Sequence, residues 1–179
     1  MIDHSGEILI LTGPPGAGKT TVAAALATLG GSRKVHLHSD DFWHFIKHGA
    51  IEPYLPEAHQ QNVVVLNVLA NVAAGYAKGG YFVILDGIVG PWFLDAFDPI
   101  DSPIHYIVLR PPLDLAIKRC RARGGNTLCD PGPITALYQQ FSTLGSLERH
   151  ALTTENDGPE GLLTRALDAL KGGRFRLAI

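Results

Sequence analysis

The residues best suited to chemistry come early in the chain, where Gly13-Pro14-Pro15-Gly16-Ala17-Gly18-Lys19-Thr20 fits the pattern G-x-x-x-x-G-K-[ST]. Glycines let a backbone fold tightly around an anion and turn several N–H groups toward it. The lysine of such a loop reaches the β- and γ-phosphates of a nucleotide, and the hydroxyl after it suits Mg²⁺. The apolar run Ile8-Leu9-Ile10-Leu11 precedes the loop. A helix-forming run from about Lys19 to Leu29 follows it, so a helix N-terminus brings its partial positive charge to the same spot. Residues 13–20, with Thr21 beside them, are the predicted nucleotide-phosphate loop. Lys19 supplies its charge and Thr20 its metal-binding hydroxyl.

Two acidic positions end predicted strands. Asp86 follows the apolar run Phe82-Val83-Ile84-Leu85 and could hold Mg²⁺ directly or through water, or border the substrate; as a plain turn aspartate before Gly87 it would do neither. Asp40-Asp41 ends the strand Lys34–Ser39. A carboxylate there could accept a proton from an attacking hydroxyl or orient it; alternatively the pair caps the segment starting at Phe42. The densest basic cluster is Lys118, Arg119, Arg121 and Arg123, followed by Gly124-Gly125-Asn126. Arg119 and Arg123, four residues apart, share a helical face, and their guanidinium forks suit the charge that spreads over a transferring phosphoryl group. The glycines after them predict a hinge, and residues of about 119–133 a closing lid.

The elements that must position these groups alternate strand and helix, which predicts an α/β fold: a parallel sheet covered on both faces, its strand C-termini turned to a ligand crevice. The predicted strands are 7–12, 34–39, 81–85, 104–109 and 150–153. The predicted helices are 19–29, 56–78 (burying Val64, Leu66, Val68, Leu69, Val72 and Ala73), 113–121, 134–147 and 160–170. An extra edge strand is expected at 174–178. At 179 residues the chain reads as one domain, 1–179, with 46% hydrophobic and 18% charged residues, as a packed core requires. A net charge of −2 gives no pull toward nucleic acid, and no apolar run approaches 18 residues, so neither nucleic acid nor membrane is an expected partner. The polar start, unlike a signal peptide, and Cys120 and Cys129, unlike a metal or disulfide pattern, lead to the expectation of a cytoplasmic protein with reduced thiols.

In motif order and spacing the chain resembles the small-molecule kinases of the P-loop superfamily: gluconate kinase, shikimate kinase, chloramphenicol phosphotransferase and zeta-toxin relatives. The resemblance rests on Gly13–Thr20, Asp40 followed by Asp41-Phe42, the strand-end Asp86, and Arg119-x-x-x-Arg123 after Leu109-Arg110-Pro111. It implies a P-loop three-layer fold with a five-stranded parallel sheet of the nucleoside monophosphate kinase type and an arginine-bearing lid. It further implies ATP and Mg²⁺ as cofactors, Asp40 as the residue that meets the acceptor hydroxyl, and Lys19, Arg119 and Arg123 beside it as catalytic groups. The region Thr153-Thr154-Glu155-Asn156 corresponds to the loop that borders adenine.

One departure bears on the acceptor. No arginine occurs between Arg33 and Arg110, and the lysines there are Lys34, Lys47 and Lys78, of which Lys47 is the one expected over the pocket. A doubly charged acceptor phosphate would lack forked partners. The interval holds instead Phe42, Trp43, Phe45, Tyr54, Trp92 and Phe93, with His44, His48 and His59 among them. Aromatic faces suit a ring or sugar. The expected activity is transfer of the ATP γ-phosphoryl group to a hydroxyl of a small sugar-, nucleoside- or antibiotic-like alcohol, with Asp41, Trp43, Lys47 and Trp92 joining Asp40 and Asp86 on the substrate side. The alternatives are a cytidylate-type nucleoside monophosphate kinase and, from another class, a nucleotide-binding regulatory or ATPase module.

Overall fold

Five short runs build the sheet, the central ones apolar and β2 alternating polar and apolar residues, and its strand order carries the site. The computed structural model describes residues 3–123, 128, 130–154 and 158–177. The strands are β1 (Ile8–Thr12), β2 (Lys34–His38), β3 (Phe82–Asp86), β4 (Ile104–Arg110) and β5 (Ala151–Thr153), all parallel in the order β2-β3-β1-β4-β5. β1 and β3 are buried throughout, as central strands of a sheet covered on both faces must be. The helices are α1 (Lys19–Thr28), α2 (Asp40–His44), α3 (His59–Lys78), α4 (Leu113–Arg123), α5 (Pro131–Gln140) and α6 (Pro159–Lys171).

Alternation along each strand divides the core in two. Ile8, Ile10, Val83, Leu85, Tyr106 and Val108 face α3 and the 3₁₀ turn Pro91–Phe97. Leu9, Leu11, Phe82, Ile84, Ile107 and Leu109 face α1 and α6. At about 25 cal/mol per Å² of apolar area removed from water, these two layers are the main source of stability.

Several expected boundaries shift for visible reasons. The helix expected over 134–147 begins earlier, because the Asp130 carboxylate accepts the Gly132 N–H at 3.0 Å and Pro131 sits at the first helical position, where its missing N–H costs nothing. It also stops earlier, at Gln140 with Phe141 as its C-cap, and a separate 3₁₀ segment, Gly145–His150, starts at a glycine with φ 58°. Val64 and Val68, expected to be buried, are 54% and 50% exposed; the buried stripe of α3 is Asn62, Val65, Leu66, Leu69, Ala70, Ala73 and Ala77. The apolar run Val63–Leu66 goes all round the helix and defines no face by itself. The expected edge strand near 174–178 is a single antiparallel bridge, Arg176 to His105, with Ala178 outside the described residues.

Candidate functional site

The loop between β1 and α1 is forced into its shape by close neighbours. Gly13 and Gly16 have φ of 140° and 76°, and a Cβ on either would lie 2.2 Å from the Leu109 carbonyl oxygen or 2.3 Å from that of Ala116. α1 then starts at Gly18 with no side-chain cap, so its first N–H groups are not claimed by a capping side chain. Lys19 Nζ donates to the carbonyls of Gly13 and Pro14, both at 3.0 Å. Burial pushes its ammonium down to about 8, against the opposing attraction of Asp40 and then Asp86. A buried ammonium held only by two carbonyls is under-neutralised, the electrostatic condition for gripping a phosphate. Thr21, by contrast, points outward from α1 and is exposed.

Asp86 is fully buried at the end of β3 and bound on several sides. The Thr20 hydroxyl donates to its Oδ2 at 2.6 Å, His36 Nε2 lies 2.7 Å from Oδ1, and His38 Nδ1 lies 3.1 Å from Oδ1. Burial works to raise the carboxyl, but the bonds from His38, Thr20 and His36 outweigh it and hold Asp86 below its usual range. The His38 imidazole is raised, first by that bond to Asp86, against its own partial burial. Register explains the meeting: His38 pairs with Asp86 across β2 and β3, and His36, two residues earlier, lies on the same face. Thr20 and Asp86 together offer hydroxyl and carboxylate oxygens beside the phosphate loop, the hard donors that Mg²⁺ takes. With both oxygens so engaged, Asp86 is absent from the wall of the cavity described next.

That cavity, of about 980 Å³, opens beyond the C-terminal end of β2. Asp40, Trp43 and His44 of α2 line it, with the segment Ala50–Pro56, His59, Trp92 and Phe93. Asp40 and Asp41 part company here: Asp40 lines the wall, whereas Asp41 is exposed and does not. The Asp40 side chain is 61% exposed, with His38 Nε2 at 3.7 Å from its Oδ2. A run of contacts therefore leads from Thr20 in the phosphate loop through Asp86 and His38 to Asp40 at the cavity edge. Lys47, expected over the pocket, is exposed and is not among the lining residues; the turn after α2 carries it outward. Phe42 and Phe45 line a smaller apolar groove with Val64 and Val68 instead, and His48 is exposed elsewhere.

One wall is fastened by side chains. Gln61 of α3 bonds both the N–H and the carbonyl of Ile51, at 2.9 and 2.8 Å, and Asn62 donates to the Pro53 carbonyl at 2.8 Å. The Trp43 indole N–H donates to Asn62 Oδ1 at 2.8 Å, so one buried amide sets both the loop and the indole. Trp92 packs on Phe141 at 5.3 Å between ring centres and remains 39% exposed toward the cavity. The clasp residues Gln61 and Asn62, like His36 and His38, were not singled out from sequence. A signal existed for the histidines, which alternate with Val35 and Leu37 and so must share a sheet face.

α4 aims its basic end at the phosphate loop. Arg119 Nη1 donates to the Gly16 carbonyl at 3.5 Å, and Arg123 is close enough to help depress the Lys19 ammonium. The hinge expected at Gly124-Gly125 and most of the lid's middle, residues 124–127 and 129, lie outside the described residues; Cys120 is buried in α4. On the far side Thr154 is buried, its N–H donating to the Arg110 carbonyl at 3.3 Å; Glu155 and Asn156 lie outside the described residues. No described helix is long and apolar enough to cross a membrane.

A sequence model of the AAA domain matches residues 9–129, more than half of the chain. No curated protein matches it. Among solved structures the chain is similar to an unliganded sugar kinase from a Janibacter species, with 21% identity, TM-score 0.68, and 92% of this chain and 94% of that one covered. A gluconokinase from Sinorhizobium meliloti is 13% identical with TM-score 0.67, covering 96% and 94% of the two chains. A shikimate kinase from Acinetobacter baumannii in complex with shikimate is 24% identical with TM-score 0.63, covering 93% of each.

Proposed function

The chain belongs to the AAA domain family and has the P-loop kinase fold, and from that premise we propose that it is a kinase that moves the γ-phosphoryl group of ATP onto a hydroxyl of a small-molecule alcohol. The observation that carries this reading is the run of contacts joining the phosphate loop to an open, Asp40-lined cavity. The kinases among its structural neighbours support the same class of reaction.

In this reaction the acceptor hydroxyl oxygen bonds to the γ-phosphorus while the bond from that phosphorus to the β,γ-bridging oxygen breaks, its electron pair leaving with ADP. The hydroxyl proton passes to the Asp40 carboxylate and on to solvent, so the products are ADP, a phosphate monoester and a proton. Lys19 and the loop N–H groups hold the phosphates, and Arg119 and Arg123 face the charge that develops on the moving group. Thr20 and Asp86 would hold Mg²⁺, which supplies charge neutralisation at the β- and γ-oxygens. His36 and His38 keep the Asp86 carboxylate ionised and turned toward Thr20.

The cavity lining favours a sugar-, nucleoside- or antibiotic-like alcohol over a nucleoside monophosphate, because no lysine or arginine lines it among the described residues. The test is ADP release from ATP across sugars, nucleosides, nucleoside monophosphates and amine-bearing glycosides, with a no-acceptor control. Acceptor-dependent release is expected. Equal release without any acceptor would favour an ATPase module, and CMP turnover with kcat/KM above about 10⁴ M⁻¹s⁻¹ a cytidylate-type kinase.

A further inference from the structure

Among the described residues, the acidic ones on the cavity wall are Asp40, Glu52 and Asp130, and the only basic side chains there are the imidazoles of His44 and His59. Lys19 and Arg119 are turned to the phosphate loop. The same wall carries indole and phenol side chains, Trp43, Trp92 and Tyr54, the last two 39% and 41% exposed. Anionic walls with open aromatic faces are the reverse of a phosphate or carboxylate site. They are the two elements that hold an ammonium group, by ion pairing and by the negative face of the ring.

From this lining we infer that the acceptor is a cation: an amine-bearing polyol or glycoside, whose ammonium groups lie toward Glu52, Asp130 and the aromatic faces while one hydroxyl meets Asp40. This rests on the kinase reading and narrows it. Size points the same way as charge, since about 980 Å³ is near the top of the ordinary range of about 300–1,000 Å³ for small-molecule sites and suits more than one ring. Glu52 and Asp130 line the cavity and are exposed. Asp130 already accepts the Gly132 N–H through Oδ1, which orients its carboxylate, and Glu52 sits in the segment that Gln61 and Asn62 fasten to α3. The wall is therefore held in place before any acceptor arrives.

The chain has 2 tryptophans, and both line this cavity, so indole fluorescence reads occupancy without any transfer of phosphate. The probes are neamine (a two-ring amine-bearing glycoside), its per-N-acetylated form, and the disaccharide acid lactobionate, titrated at one ionic strength. Neamine is expected to bind about tenfold or more tighter than its acetylated form, from the combined ion-pair and cation–π contributions, and the acid more weakly than either. Glu52→Gln and Asp130→Asn, the latter keeping an N-cap oxygen, should each weaken neamine about two- to fivefold and leave the acetylated form unchanged. Equal or tighter binding of the acetylated form or of the acid, or no response to neamine, would overturn the inference. ADP release measured on the same samples separates the two readings. Acceptor-dependent release with neutral or acidic alcohols and none with amines overturns the cationic acceptor alone. Selective neamine binding without acceptor-dependent release overturns the kinase and leaves the cation site standing.

Discussion

Asp86, at the C-terminal end of β3, and Glu7, just before β1, each gather two imidazoles at opposite ends of the same sheet. Asp86 takes His36, His38 and the Thr20 hydroxyl. Glu7 takes His4 at 2.6 Å and His105 at 2.9 Å on one oxygen, and Arg176 at 3.2 Å on the other. In both, burial opposes ionisation and hydrogen bonds overcome it, so both carboxyls sit below their usual range. The imidazoles differ. His105 is 3% exposed and burial lowers its proton affinity despite Glu7, whereas His38 is half-buried beside Asp40, and Asp86, with Asp40 and Asp41, raises it. The lesson is that a carboxylate–imidazole cluster is not a site by its composition. The cluster at Asp86 joins the phosphate loop to the cavity-lining Asp40; the cluster at Glu7 ties the chain's first turn to β4 and to the segment after α6.

Substitutions at the two ends should therefore separate activity from stability. The largest effect is expected for Lys19→Ala, with phosphoryl transfer slowed by about 10³-fold or more and the far-ultraviolet circular dichroism unchanged. Turnover near wild type would remove the phosphate loop from the reaction. Asp40→Asn should lower kcat by about 10²–10⁴-fold while the KM for ATP hardly moves, because the lost carboxylate faces the acceptor. If Asp41→Asn proves the damaging change, the proton acceptor lies one residue further on and the cavity wall has been misjudged.

At the other end Glu7→Gln should leave turnover intact and cost about 1–3 kcal/mol of stability, read as a lower Tm, because His4, His105 and Arg176 lose their anion. A large loss of turnover would break the contrast between the ends. The smallest effects concern pH. The lowered His105 binds fewer protons folded than unfolded, so its contribution falls as pH drops through the ordinary histidine value of about 6.5. The raised His38 does the opposite: its contribution is present below about 6.5 and is lost as pH rises through its folded value. In protein free of nucleotide and metal, His105→Gln should flatten the acid-side fall of Tm. His38→Gln should lower Tm on the acid side only. A change of slope in the same direction for both would show that the two clusters do not differ as described.

How much of this is legible in the sequence depends on how local the cause is. The phosphate loop is legible because its ligands, its glycines and its helix are contiguous, and Asp40 and Asp86 because an acid after an apolar strand must fall at the strand's end. The partnership of His36 and His38 with Asp86 is not, since it needs the pairing of β2 with β3 across some 50 residues of chain. The outward course of Lys47 and the exposure of Val64 and Val68 turn on which way a short helix and a long one are rolled, which an apolar run all round cannot specify.

The Gln61 and Asn62 clasp has a consequence for how this chain can diverge. The segment 50–56 joins no strand of the sheet, and Gln61 holds Ile51 by both its backbone groups, as a neighbouring strand would. A wall hung from two side chains can change its other residues, or its length between the anchor points, without altering the register of any strand. Close relatives that keep Gln61 and Asn62 but differ between positions 52 and 56 would then share a scaffold and phosphate loop while accepting different molecules. New specificity would arise by altering the wall while the machinery beneath it stays as it is.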